Sequence, residues 1–143
     1  MTADLVVLDT NIWTHLYSAS KQHADARSWR KAMIGLEVVI AQQTRAEVLY
    51  GLELSSWSSD RKQRVRRQLD ATPTIPVDEA VVDAWVLLRV ACRLRRPTPH
   101  PLHDSKHHGD DQWVAATAIS LASPLLTRDE GFKDAPGLAL LKF

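Results

Sequence analysis

Leu5-Val6-Val7-Leu8-Asp9-Thr10-Asn11-Ile12-Trp13 begins with four apolar residues and stops at a carboxylate. A short, unbroken apolar run with β-branched members reads as a strand buried on both faces, which is how strands of parallel sheets read. Leu5–Leu8 is therefore expected to be a first strand, with Asp9 at its carboxyl end. A helix through Trp13, Leu16 and Tyr17 is expected next, then one through Trp29, Met33 and Ile34 that Gly35 would end.

Outward from that stretch the pattern alternates. Val38–Ala41 reads as a second strand. Thr44 to Trp57 reads as a helix with Val48, Leu49 and Leu52 on its apolar face, and Asp60–Leu69 as a charged helix that pairs with it in a hairpin. Thr74–Val77, between prolines, reads as a third strand, and Asp78 caps a long helix to Arg96. That helix is apolar around much of its circumference, which suits deep burial or a dimer contact. Arg96–Gly109, rich in proline and histidine, reads as a loop. Asp110 or Asp111 then opens a helix through Trp113, Ala116 and Ile119. Pro124–Thr127 gives a fourth strand and Leu138–Leu141 a fifth at the edge. Strands alternating with helices imply an α/β fold, a mainly parallel five-stranded sheet covered on both faces.

The 143 residues suffice for one domain, taken as residues 1–143, with one core. A net charge of +1 neither demands nor excludes a nucleic-acid partner, so local charge must decide. Cys92 is the sole cysteine, which rules out an internal disulfide and fits a reducing cytosol, hence a cytoplasmic location. Asp4 and Asp9 interrupt the only early apolar stretch, so no signal peptide is expected, and no apolar run is long enough for a membrane span.

Four acids fall where an α/β sheet places its chemistry. Asp9 ends strand one and Asp129 follows strand four, and ligands of such sheets bind outside the strands' carboxyl ends. Glu47 lies in the first turn of the helix after strand two, and Asp111 opens the helix before strand four. If strands one and four are neighbours, the four carboxylates converge, and they cannot all stay ionised without a compensating cation. Mg²⁺, or Mn²⁺ in its place, suits an oxygen-rich site and can activate water against a phosphate. Each acid also has a plainer use. Asp9 can cap the following helix, Thr44-Arg45-Ala46-Glu47 has the form of a capping box, Asp110 and Asp111 suit a helix's positive end, and Asp129 suits a turn. No glycine-rich phosphate loop supports an ATPase or kinase.

Four segments, in order, resemble the PIN-domain nucleases, most closely their VapC-like toxins. They are Val6-Val7-Leu8-Asp9-Thr10-Asn11-Ile12, Thr44-Arg45-Ala46-Glu47-Val48-Leu49-Tyr50-Gly51-Leu52, Asp110-Asp111-Gln112-Trp113-Val114-Ala115-Ala116-Thr117-Ala118, and Leu125-Leu126-Thr127-Arg128-Asp129-Glu130-Gly131-Phe132 with Pro136-Gly137-Leu138. The resemblance implies a three-layer α/β/α PIN domain in which Asp9, Glu47, Asp111 and Asp129 hold the metal and Asn11 and Thr127 support them. The family has Asn where Asp110 stands. The position of Trp113 assigns the metal to Asp111 and leaves Asp110 to add charge nearby. The implied activity is Mg²⁺-dependent endonucleolytic hydrolysis of RNA, giving a 5′-phosphate and a 3′-hydroxyl. The implied partners are an RNA substrate, a small antitoxin that inserts a basic residue among the acids, and a second copy in a homodimer.

Arg61, Lys62, Arg64, Arg66 and Arg67 crowd one helix, and Arg89, Arg93, Arg95 and Arg96 load the end of another. Arg61, Arg64, Arg95 and Arg96 are candidate RNA contacts, although a solvated helix face or a helix C-terminus would also use them. His100, His103, His107 and His108 do not have zinc spacing. They read as a flexible polar loop, with His108 bordering the acids and touching substrate phosphate. Trp13, Trp29, Trp85 and Trp113 read as core, and Trp57, near the hairpin tip, as a place a partner could cover. The competing functions are a PIN nuclease in RNA processing or DNA flap cleavage, and a catalytically silent binding module. Retention of all four acids argues against the last, and a short upstream antitoxin gene would favour the toxin.

Overall fold

A computed structural model describes residues 4–143. Strand β1 (Leu5–Leu8) is followed by helices α1 (Thr10–Tyr17) and α2 (Ala26–Ala32), then β2 (Glu37–Ala41). Helices α3 (Gln42–Leu54) and α4 (Ser59–Ala71) lead to β3 (Thr74–Ile75) and the long α5 (Glu79–Leu94). A 3₁₀ turn at Pro101–His103 precedes α6 (Ser105–Ser120), β4 (Leu125–Leu126) and a second 3₁₀ turn at Glu130–Phe132.

The sheet order is β3-β2-β1-β4, with every pairing parallel. β1 is therefore central, and its neighbour changes from β2 to β4 at the switch point where such sheets open a crevice. The pleat sends alternate residues to opposite faces. Val6, Leu8, Ile40 and Leu126 join Ile12, Trp13, Trp29, Val48, Val65 and Leu69 in one core, built with α1 to α4. Val7, Val39, Ala41 and Leu125 join Leu88, Cys92, Val114, Ala115 and Phe132 in the other, built with α5 and α6. The three layers are thus formed by one sheet buried on both sides. Trp85 and Trp113 stack at 4.7 Å between ring centres and tie α5 to α6.

Three expectations need correction. Leu138–Leu141 does not form a fifth strand: it makes one parallel bridge, Leu125 to Leu140, so the sheet has four strands among the described residues. The segment passes β4 with two backbone bonds, Leu125 N–H to Ala139 O and Leu141 N–H to Leu125 O, and β4 is too short to extend the ladder. The histidine-rich stretch is ordered, with His100 buried. His100 Nδ1 accepts from Leu102 N–H, and its Nε2 lies 2.8 Å from Lys133 O. Finally, α6 starts at Ser105, not at Asp110 or Asp111, because Asp104 caps it by accepting from Lys106 N–H. The helix then bends at His108 (φ −132°, ψ 26°).

α5 is not wholly buried. Val81, Ala84, Leu88 and Cys92 face inward, while Leu87, Val90 and Leu94 are exposed. Burial raises the Cys92 thiol pKa, in keeping with an inert core cysteine. Trp57 is covered from within the chain, since the Arg61 guanidinium lies 3.5 Å from its ring centre.

Candidate functional site

The carboxyl ends of β1 and β4 bring Asp9 and Thr127 together. Asp9 is buried, and its Oδ1 accepts from Thr10 N–H at 2.8 Å, capping α1. Its Oδ2 accepts from the Thr127 hydroxyl at 2.7 Å, and Thr127 Oγ1 in turn accepts from Asp129 N–H at 3.0 Å. The backbone after β4 thereby fixes the direction of the Thr127 proton, and that proton fixes the Asp9 carboxylate. Capping is real for Asp9, but it occupies one oxygen and leaves the other to Thr127 in a buried place.

Glu47 projects from α3. The capping-box alternative fails, because α3 begins at Gln42 with Ala41 at the cap, so Glu47 sits beyond the unpaired first N–H groups. Thr44 is buried and accepts a 3.1 Å bond from the Thr10 hydroxyl instead, joining α3 to the start of α1. Glu47, His108, Asp110 and Asp111 line one cavity of ≈ 410 Å³ with Ser105, Lys106 and His107. Asp111 Oδ2 lies 3.7 Å from His108 Nδ1. Residues on both sides of the bend at His108, from Ser105 to Asp111, line this cavity. Behind it, buried Gln112 anchors the helix through its Nε2–H to Leu102 O and its Oε1 from Ser105 Oγ.

The acids feel one another. Burial is the main cause that lifts the Asp9 carboxyl above its ordinary range, against the pull of Thr127 and Thr10, and the charge of Asp129 adds to it. Glu47 is raised first by burial and then by Asp110, Asp9 and Asp111, with the Thr10 hydroxyl opposing. Asp111 is raised by burial, Asp9 and Asp129, with His108 opposing. Asp129 is exposed, and its Oδ1 accepts from Gly131 N–H at 2.8 Å. Among the described residues no lysine or arginine forms an ion pair with any of these four, and His108 is the one basic side chain within ion-pair distance of them. Nor do any three acid, histidine or cysteine side chains close to a ready ion cage there. The site is a set of mutually repelling oxygen donors lacking a strong cation, which is the chemistry a hard divalent ion answers.

Other candidates divide. Asp110 and His108 line the acidic cavity. Asn11 is exposed at the start of α1, and its backbone oxygen accepts from the Thr14 hydroxyl. Arg61 and Arg64 line a separate cavity. Arg95 folds back on Thr98 O at the end of α5, and neither it nor Arg96 lines the acidic cavity. Sequence reading missed Thr10, Thr44 and Gln112. Thr10 stood in the quoted motif, but which of its neighbours it would bond is set by the distant α3.

The family model for the PIN domain matches residues 6–138. Ribonuclease VapC5 of Mycobacterium tuberculosis is 27% identical over 136 residues, covering 93% of this chain and 89% of that protein. The DNA-bound VapBC structure from Salmonella typhimurium superposes with a TM-score of 0.72 at 21% identity, over 96% of each chain. The VapBC-5 toxin–antitoxin structure from Mycobacterium tuberculosis gives 0.60 at 22% identity, over 99% of this chain and 100% of that one.

Proposed function

This chain belongs to the PIN-domain family, and from that membership we infer that it is a divalent-metal-dependent endoribonuclease, the toxin of a toxin–antitoxin pair. The observation that carries the reading is the crowding of Asp9, Glu47, Asp111 and Asp129 with no lysine or arginine paired to them among the described residues. The named ribonuclease relative and the toxin–antitoxin neighbours support the substrate class and the partner.

In this reading the four acids hold Mg²⁺, or Mn²⁺ in its place. Bound there, the ion supplies activation of water and stabilisation of charge on the scissile phosphate. The protein's part is orientation. Thr127 aims the Asp9 carboxylate at the crevice, and the Thr10–Thr44 bond locks the start of α1 against the helix that carries Glu47. Asp110 adds negative charge beside Glu47. His108, on the cavity wall, is placed to donate to a phosphate oxygen when protonated. No side-chain nucleophile is required: attack of water on the phosphorus, with departure of the 3′-oxygen as it takes up a proton, leaves a 5′-phosphate and a 3′-hydroxyl. A basic side chain from an antitoxin, set among the same acids, would compete with the metal, and exposed Leu87, Val90 and Leu94 on α5 offer an apolar surface to a second copy.

The test is cleavage of labelled single-stranded and structured RNA by antitoxin-free protein. Cutting is expected with Mg²⁺, is absent in EDTA, and is lost in Asp9→Asn. Folded protein that cuts no RNA with either Mg²⁺ or Mn²⁺ would overturn the reading and shift weight to DNA flaps or to a silent binding role.

A further inference from the structure

A second cavity, of ≈ 540 Å³, lies between the C-terminal end of α1 and one face of α4, and its character is opposite to that of the acidic one. Tyr17, Ser18, Ser20, Arg61, Arg64 and Arg67 line it. Among the described residues none of its three arginines forms an ion pair. The contrast with the rest of α4 is internal to one helix: Arg66 is paired with Asp70, which also holds Arg45 at 2.8 Å. Arg61 is held in place, its guanidinium 3.5 Å from the Trp57 ring centre and its Nη2 3.3 Å from Ser18 O. An arginine fixed by a ring face and one carbonyl keeps further N–H donors free, in the fork that matches a phosphate.

The position is as telling as the charge. Helix α1 runs from its cap at Asp9 to Tyr17, eight residues, so it separates the acids from the arginines by roughly 12 Å at 1.5 Å per residue. We propose that this Arg61–Arg64–Arg67 cavity binds the phosphodiester backbone of a single RNA strand whose scissile bond lies at the acids. The proposal rests on the ribonuclease reading for its substrate. Repulsion between a polyanion and four carboxylates is then offset a fixed distance away, by cations that touch no reacting atom. The Tyr17 ring on the cavity wall offers a surface for a base.

The experiment is RNA binding without cleavage, measured by fluorescence anisotropy of a labelled unstructured single-stranded RNA in EDTA over a series of salt concentrations. The proteins are wild type, the single variants Arg64→Gln and Arg67→Gln with their double variant, and Arg66→Gln as a control matched in charge to each single variant, on the paired side of the same helix. Each lost phosphate contact lowers the slope of log affinity against log salt by about 0.7, so the double variant is expected to lose about 1.4 and the control close to nothing. In turnover with Mg²⁺ the double variant should raise KM and leave kcat near wild type, as loss of uniform binding does. A double variant with the control's slope and KM overturns the proposal, as does a wild type that binds no RNA at low salt. So does a result in which the double substitution weakens binding of a poly-glutamate peptide but not of RNA, which would make the cavity a seat for an acidic protein segment. Arginine-dependent binding by a protein that cuts nothing would uphold this site while removing the nuclease reading. Cutting with unaltered binding would do the reverse.

Discussion

Asp111 shows how a single carboxyl couples the site to the fold. Its pKa is raised by burial and by Asp9 and Asp129. A carboxyl raised in the folded state holds its proton there after the unfolded chain has released it. Stability then falls as pH climbs from the ordinary carboxylate range through the raised folded value. The metal-free protein is therefore expected to be more stable near pH 4.5 than near pH 7.5 as far as this group is concerned. Asp111→Asn should remove that loss, so in EDTA at pH 7.5 its urea midpoint should exceed that of wild type, with the gap closing as pH falls. Addition of Mg²⁺ should reverse the order, because a bound ion stabilises only the chain that can hold it. An unchanged EDTA midpoint at pH 7.5 would show that Asp111 carries no repulsive burden. At this scale the sequence disclosed the acids by type and order. The Thr127 relay from Asp129 N–H to Asp9 rests on backbone geometry after β4, and the Thr10–Thr44 bond joins residues 34 positions apart. Neither has a local signature.

Helices were legible where caps and apolar faces agree. Asp78 accepts from Val81 N–H at 3.0 Å at the start of α5, where the sequence indicated a cap. Asp78→Ala should cost about 1 kcal/mol of stability, the usual loss for a helix cap. Denaturation should read it as a shifted midpoint with an unchanged slope, and a neutral result would mean that packing against α6 alone holds that turn. α6 was less legible. Pro97, Pro99 and Pro101 read as loop punctuation, yet Pro101 starts a 3₁₀ turn and Asp104 caps a helix whose own first turn is rich in histidine. Cap chemistry was present at Asp104, but the apolar periodicity that normally draws attention to a helix begins only at Trp113. Beyond the bend at His108, Gln112 pins the helix to Leu102 while Asp111 is coupled to Asp9 and Asp129, contacts with no local pattern to announce them.

At the scale of the whole molecule, one sheet serves two cores, so damage at its centre should be felt in both layers and at the crevice. Leu126 is fully buried and lies beside Leu8, directly before Thr127. Leu126→Ala should destabilise the protein by about 2–5 kcal/mol. Because the missing side chain also loosens the strand that carries Thr127, RNA cleavage in the surviving folded fraction should fall as well. Full activity per folded molecule, measured below the thermal transition, would show that the position of Thr127 does not depend on core packing. The parallel α/β class followed from short apolar strands alternating with helices, and Asp9 and Asp129 followed from where those strands end. Strand count did not follow, because Leu138–Leu141 has the composition of a strand and lacks only a partner long enough to pair with.

That unpaired length gives the closing segment a protective duty. Two backbone bonds, Leu125 N–H to Ala139 O and Leu141 N–H to Leu125 O, occupy polar groups on the outer side of β4. Left open, such a border is a template on which another chain can lay down a strand. Ala139–Leu141 therefore shields this one edge from strand addition by another chain.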